Sequence, residues 1–213
     1  MPADNLRVLS FIIVIMAGAV LALSLLSALG LSGWLIAYTQ QAESPLVLAI
    51  TGISNLLNNI IFLASIIPVL IWIYLAHSNL RKAGLSGLRN SPAWATFSFL
   101  VPFANLYFPF VAMKELANRS AGEPEELADA DVEDVTALWG CFVGSMFLTT
   151  IVVFTTFLDA IPGVFMTTPF WANPVLTILA QVLTAGAAFF LIKLVRSITA
   201  AQRNGISDLS VFE

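Results

Sequence analysis

Apolar residues in this chain gather into long runs that short polar stretches separate. Crossing a hydrocarbon core of about 30 Å takes about 20 apolar helical residues, and four runs are that long. They cover residues 8–38, 46–77, 135–158 and 174–195. The pattern predicts an all-α polytopic membrane protein with four transmembrane helices, in which residues 1–213 form a single membrane domain.

The first run resembles the apolar core of a secretory signal peptide. Its continuous apolar part, residues 8–29, is longer than the ~7–15 residues typical of such a core. We therefore expect an uncleaved membrane helix, long enough to tilt or to break near Gly30 and Gly33. In the second run, Pro68 is expected to produce a kink.

A fifth apolar stretch, residues 92–113, is ambiguous. A continuous helix of this length would reach ~33 Å and could cross the membrane. Pro102 and Pro109 argue against that, because each removes a backbone donor and clashes with the preceding turn. We favour a proline-broken, re-entrant or interfacial helical hairpin over residues 92–118.

Local signals support two short helices in this hairpin. Ser91 and Pro92 suit the N-cap and the first helical residue, and Asn105 is expected to meet backbone groups freed at the turn. Irregular backbone within a membrane must be covered by protein or water. We therefore expect the hairpin to pack inside the four-helix bundle.

The basic residues distinguish between a hairpin and a fifth span. With a hairpin all nine lie on one side, whereas a fifth span divides them about evenly. The positive-inside rule favours the hairpin and places that side in the cytoplasm. Both termini and the acidic segment 121–134 would then be cytoplasmic. The nine residues are Arg7, Arg81, Lys82, Arg89, Lys114, Arg119, Lys193, Arg196 and Arg203.

Composition agrees with a membrane protein and excludes several functions. Charged residues make up only 10% of the chain, against about 25% in soluble domains. A net charge of −4 without a basic stripe argues against nucleic-acid binding. One Cys and one His exclude the usual zinc site, and no cofactor motif is present. We expect membrane lipids and protein partners, or a homo-oligomer.

Three amides in the second predicted helix are the best intramembrane candidates for a site. Asn55, Asn58 and Asn59, with Thr51, lie near one helix face because their spacings are three and four. They could line a path for ions or a polar headgroup. Alternatively they join helices, at about 0.6 kcal/mol per hydrogen bond, and this structural role is the one we favour.

His77 is predicted at the cytoplasmic end of the same helix. Its imidazole could relay protons, but a relay normally needs other buried ionisable groups. We favour a hydrogen bond that anchors the hairpin, to Asn79, Asn105 or a backbone carbonyl. In the hairpin, Glu115 and Arg119 have the i,i+4 spacing of an ion pair.

Two further patterns are weaker. Gly140 and Gly144 form a GxxxG sequence that permits close helix approach, either within the chain or to a partner. The acidic run from Asp129 fails as an EF-hand loop, because Asp134 and Gly140 occupy the positions that need Gly and Glu. We expect no metal site there and interpret the run as a solvated acidic segment near the basic ends of the hairpin.

Several short motifs resemble a family of bacterial membrane proteins, domain-of-unknown-function family 4328. The chain departs from the family pattern at Leu75, where a basic residue is common, and at Ala117, where tryptophan is common. The resemblance implies the fold and a bacterial origin, and it supplies no catalytic residues. The motifs are AHSNLR at 76–81, SPAWA at 91–95, VPFANL at 101–106, Pro109, AMKEL at 112–116 and ITAAQ at 198–202.

The absence of a catalytic motif and the short loops favour a non-enzymatic protein of the bacterial inner membrane. We expect an accessory or scaffold subunit of a larger membrane complex. One alternative is a small oligomeric transporter or channel that uses the face of Asn55, Asn58 and Asn59. The other is a membrane enzyme that acts on lipid, with His77 and Glu115 meeting in one pocket.

Overall fold

The computed structural model describes residues 3–42, 45–101, 103–161 and 168–209. These residues form six α-helices and two short 3-10 turns, Ala104–Leu106 and Glu125–Leu127, and they contain no strand. The helices are α1 Ala3–Thr39, α2 Pro45–Lys82, α3 Pro92–Phe97, α4 Phe108–Ser120, α5 Glu133–Asp159 and α6 Ala172–Leu209.

Helices α1, α2, α5 and α6 are long and apolar enough to cross a membrane. The all-α class and the four candidate spans are therefore confirmed. Helix α1 runs through Gly30 and Gly33 without a break, which leaves the alternative of a tilted helix, and α2 continues through Pro68. The 38 residues of α6 give about 57 Å of helix. Since a hydrocarbon core is about 30 Å thick, a large part of α6 extends beyond it.

The four long helices form an open row in the order α2, α1, α6, α5, and each packs along its neighbours. Small residues permit this close packing. Gly30 of α1 lies against the Thr51 side chain, and a Cβ on Gly144 of α5 would lie 3.0 Å from Leu183 Cδ1 of α6. Helices α2 and α5 form the two edges. Only 6% of the most apolar part of α5 is buried, against 28% for α1, so the edge helices expose broad apolar faces.

The main hydrophobic core lies at one end of this row, where α2, α4 and α6 meet. Trp72 of α2 is fully buried there, and its indole Nε1 donates a hydrogen bond to Thr199 Oγ1 of α6 at 3.1 Å. Leu116 of α4 and Val195 of α6 belong to the same cluster. The charged ends of the helices therefore rest on the best-packed part of the chain.

The segment between α2 and α5 folds back on itself through α3 and α4. Ser91 caps α3 as predicted, because its Oγ accepts the Trp94 N–H at 3.0 Å, and Pro92 lies in the first turn. After α4 the chain returns to the loop that follows α2, where this segment begins. The Arg119 guanidinium Nη2 donates to the Ser86 carbonyl of that loop at 2.9 Å. A continuous helix would separate these two ends by tens of ångströms, so this segment does not run across the row as one helix.

The expectation that the hairpin packs inside the bundle is wrong. An open row has no enclosed space for it, so α3 lies on α2, and α4 packs against α6, α5 and α2. Apolar side chains at its tip are exposed, including Phe97, Tyr107 and Phe103, the last at 87%. Pro102 lies outside the described residues. The Asn105 side chain makes no hydrogen bond in the described part, and the backbone bond from Asn105 N to Val101 O, 3.0 Å, closes the turn.

Candidate functional site

A buried polar cluster lies at the base of the hairpin, and we call it the polar junction. It joins α2, the loop before α3, α4 and α6. Its side chains are at most 9% exposed, although they include a carboxylate, a guanidinium and an imidazole. Buried groups of this kind require partners, so their contacts show what the junction does. Its members are His77, Asn90, Glu115, Arg119 and Gln202.

Glu115 of α4 is the centre of the polar junction, with an exposed fraction of 0%. One carboxylate oxygen accepts the Arg89 backbone N–H at 2.6 Å. The other accepts the Asn90 backbone N–H at 3.1 Å and the Asn90 side-chain Nδ2 at 2.6 Å. Three donors thus replace water around this carboxylate, and they fix the loop before α3 onto α4.

Arg119 does not pair with Glu115, so the predicted i,i+4 ion pair is wrong. Its guanidinium instead donates to the Ser86 carbonyl at 2.9 Å and to the Glu123 carbonyl. Both carbonyls belong to irregular backbone that no helix satisfies, and Glu115 is already bound by three other N–H donors. Arg119 therefore ties together the two loops that flank the hairpin.

Gln202 connects α6 to the other two helices of the junction. Its Nε2 donates to the Ala76 carbonyl of α2 at 3.1 Å and to Ser120 Oγ of α4 at 2.9 Å. Its Oε1 accepts the Asn79 side chain at 3.3 Å. The structure therefore places the candidate residue Asn79 in a contact between helices α2 and α6.

His77 is buried beside these groups, and of the three predicted partners it meets a backbone carbonyl rather than Asn79 or Asn105. Its Nδ1 lies 3.1 Å from the Ile73 carbonyl of its own helix, α2. Its Nε2 is buried without a hydrogen-bond partner among the described residues. The carboxylate of Glu115 and the guanidinium of Arg81 are close enough to act on the ring. His77 thus lies beside the Ala112 backbone of α4 and is hydrogen-bonded within α2.

The amides of α2 separate into two groups. Asn58 is 3% exposed, and its Nδ2 donates to Ser24 Oγ of α1 at 3.1 Å and to Gln181 Oε1 of α6 at 3.2 Å. Gln181 in turn donates to Asn55 Oδ1 at 2.7 Å. Asn59 instead has an exposed side chain with no partner among the described residues. Two of the three candidates therefore make contacts between helices, and the third faces outward.

The sequence interpretation missed Gln181 as a partner of these amides. It is the one amide in the apolar part of α6 between Pro174 and Lys193. An isolated amide in a predicted membrane helix needs a partner, because hydrocarbon supplies none. The isolated Gln181 was therefore the sequence signal for a contact with the amides of the second helix.

The acidic segment 121–134 lies across the base of the hairpin. Asn118 of α4 holds its backbone, donating to the carbonyls of Ala128 and Ala130 at 3.0 Å each. The hydrogen bond from Lys114, 2.9 Å long, lowers the pKa of Asp131. The segment is thus held by three ion pairs while most of its surface stays exposed. The pairs are Arg89–Asp129, Lys114–Asp131 and Lys193–Asp134.

The two glycines of the GxxxG sequence have different surroundings. Gly144 packs against Leu183 of α6, and the neighbouring Ser145 hydroxyl donates to the Ala180 carbonyl at 3.1 Å. A Cβ on Gly140 would meet nothing within 4 Å. Gly144 therefore serves packing between α5 and α6, and Gly140 faces outward.

A cavity of about 180 Å³ opens at the same end of the molecule, between the start of α1 and the end of α6. Asn79 and Gln202 belong to its lining. His77, Glu115 and Asn58 do not. His77 and Glu115 thus lie together, although neither of them lines this cavity.

Comparison with known proteins gives one match. The family model described as a domain of unknown function (DUF4328) covers residues 45–200. No curated protein and no solved structure matches the chain. The matched range contains every residue of the polar junction except Gln202, and it covers more than two thirds of the sequence. The chain therefore belongs to this family of the domain of unknown function DUF4328.

Proposed function

We propose that this protein is a non-enzymatic accessory or scaffold subunit of a larger assembly in the bacterial inner membrane. The observation that carries the proposal is the exposed side chain of Asn59 on α2. It lies about 21 Å along α2 from Pro45, near the middle of a helix long enough to span. An amide that faces hydrocarbon without a hydrogen bond is costly. A polar group on a partner helix would remove that cost.

The position of Asn59 strengthens this proposal, because α2 is an edge helix of the row. The other edge, α5, presents Gly140 with open space around it. Small residues at an exposed helix face allow a second helix to approach closely. Both edges therefore have features suited to contact with another membrane helix.

The chemistry of the site also supports a structural role. Glu115 is bound by three donors from the chain itself, and its burial keeps a lipid headgroup away from it. The transporter alternative has less support, because Asn55 and Asn58 are bonded to Gln181. The cavity between α1 and α6 does not reach these amides.

The first test is purification of the native protein in mild detergent, followed by mass spectrometry of what accompanies it. We expect a stoichiometric partner, and we expect Asn59→Leu to release it while the chain stays folded. Ile60→Leu is the matched control, since it changes an exposed neighbour and keeps the amide. A monomer without partners, or a partner that both variants retain, would contradict the proposal. A homo-oligomer that Asn59→Leu dissociates would favour the alternative of a small oligomeric transporter or channel.

The proposed orientation places both termini and the ends of the hairpin in the cytoplasm. After replacement of Cys141 by Ser, we expect Ser86→Cys and Ala121→Cys to be labelled from the same side of the membrane. Both positions are exposed, and the bond from Arg119 to Ser86 brings the two loops together. Gln40→Cys, at the opposite end of α1, is the control for the other side. Labelling of Ser86→Cys and Ala121→Cys from opposite sides would exclude the hairpin.

A further inference from the structure

Three arginines line the cavity between the start of α1 and the end of α6: Arg7, Arg196 and Arg203. Arg196 and Arg203 are two helical turns apart on α6, and an i,i+7 spacing puts them on one face. Thr199 lies between them on the same lining. Arg7 belongs to the lining from α1, so both helices contribute arginine to it.

Of the other six basic side chains at this end, only Lys82 has neither an acid nor a carbonyl as partner among the described residues. Arg89, Lys114 and Lys193 pair with acids of the segment 121–134, and Arg119 is bound to carbonyls. The arginines of the cavity have no acidic partner among the described side chains. Their positive charge is therefore concentrated at one opening, and no described acid pairs with it.

The remaining lining suits an amphiphilic anion. The Thr199 hydroxyl accepts the Trp72 N–H, which leaves its own proton available to a ligand. Leu6 and Ala200 supply apolar walls. The cavity thus combines guanidinium forks, which match the oxygens of a phosphate group, with a surface that accommodates hydrocarbon.

We propose that this cavity binds the phosphate group of an anionic ligand, with an anionic phospholipid as its source. The cavity lies at the ends of α1 and α6, where the headgroups of the cytoplasmic leaflet would be in the proposed orientation. That leaflet carries anionic lipids. This site depends on the proposed membrane orientation, and it does not depend on the partner assembly, so either proposal can fail alone.

The test measures equilibrium binding to the full-length protein in uncharged detergent. The probes are short-chain phosphatidylglycerol, short-chain phosphatidylcholine and inorganic phosphate. We expect phosphatidylglycerol to bind at least about tenfold more tightly than phosphatidylcholine, which corresponds to about one charge-assisted hydrogen bond. Inorganic phosphate that binds as tightly as phosphatidylglycerol would identify a soluble phosphate compound as the source. Equal binding of both lipids and no binding of phosphate would overturn the proposal.

Variants locate the site. We expect Arg196→Gln with Arg203→Gln to weaken phosphatidylglycerol binding by at least about tenfold. Arg81→Gln with Lys82→Gln removes the same charge from the same end outside the cavity lining, and we expect it to change binding by about threefold at most. Equal losses in the two pairs would mean diffuse attraction and would overturn the site.

A second pair covers the case in which the glutamine pair does not fold. Arg196→Lys with Arg203→Lys keeps both charges but loses the planar fork that binds phosphate at two points. We expect a severalfold weaker affinity for phosphatidylglycerol. An unchanged affinity would exclude a guanidinium site.

Discussion

We expect Glu115→Ala to lower the free energy of unfolding by about 3–5 kcal/mol. The substitution leaves the backbone N–H groups of Arg89 and Asn90, and the Asn90 side chain, without their acceptor. Each buried donor left unpaired costs about 1–3 kcal/mol, and water that enters the space recovers part of this. The measurement is equilibrium unfolding of the detergent-purified protein.

Hydrogen exchange tests the cause of this loss. In the parent protein the backbone amides of Arg89 and Asn90 are bonded to Glu115, so we expect them to exchange slowly. In Glu115→Ala they should exchange at rates typical of an open loop. Glu126→Ala is the control, because it removes an exposed acid from the neighbouring segment. An equal loss of stability in both variants would show that the carboxylate does not hold the loop.

Glu115→Gln separates the effect of the negative charge from the effect of the side-chain shape. The amide keeps one oxygen as an acceptor, but its NH₂ group must face one of the N–H donors. We expect about half the loss of stability seen in Glu115→Ala, because only part of the donor set remains satisfied. A glutamine variant as stable as the parent would mean that the negative charge contributes nothing at this position.

The four long helices were predictable because a membrane helix needs only a long apolar run. The start of α3 was predictable for a local reason, since the capping group of Ser91 and the ring of Pro92 act within one turn. The partners of Glu115 were not predictable. They include two backbone N–H groups, at Arg89 and Asn90, and every residue except proline offers the same donor.

The open row of helices was also not predictable from the apolar pattern. In water a hydrophobic stripe forces helices to close around a core, but lipid is as apolar as leucine and imposes no such closure. The expectation of a hairpin inside a bundle failed for this reason. The final position of the hairpin depends on polar contacts such as Gln202 with Ala76 and Ser120, which join residues far apart in the sequence.

The contacts of the individual amides of α2 were not predictable from the sequence either. Asn58 and Asn59 are adjacent, so their side chains point about 100° apart on the helix. Both fit a polar face by spacing, yet only Asn58 meets Ser24 and Gln181. Which amide faces a neighbouring helix depends on the order of helices in the row, and one sequence does not specify that order.

We expect Asn58→Leu to lower the free energy of unfolding by about 1–2 kcal/mol. It removes two hydrogen bonds between helices, worth about 0.6 kcal/mol each, and it leaves the Ser24 hydroxyl without the amide that it accepts. Gln181 keeps its bond to Asn55, which limits the loss. Leucine has the same number and branching of side-chain heavy atoms as asparagine, so the substitution removes the amide chemistry and keeps the shape. The measurement is reversible unfolding in detergent, with the parent protein unfolded under the same conditions.

Asn59→Leu is the control that tests whether the loss of stability is specific to Asn58. Asn59→Leu changes the same amide to the same side chain one residue along α2, where the side chain is exposed and has no hydrogen bond to a described residue. We expect it to leave the stability of the isolated chain within about 0.5 kcal/mol of the parent. Asn58 then acts within the chain, and Asn59 becomes available to a partner. Equal losses in the two variants would mean that the amide contacts with Ser24 and Gln181 do not hold α1, α2 and α6 together, and that helix packing alone sets their arrangement.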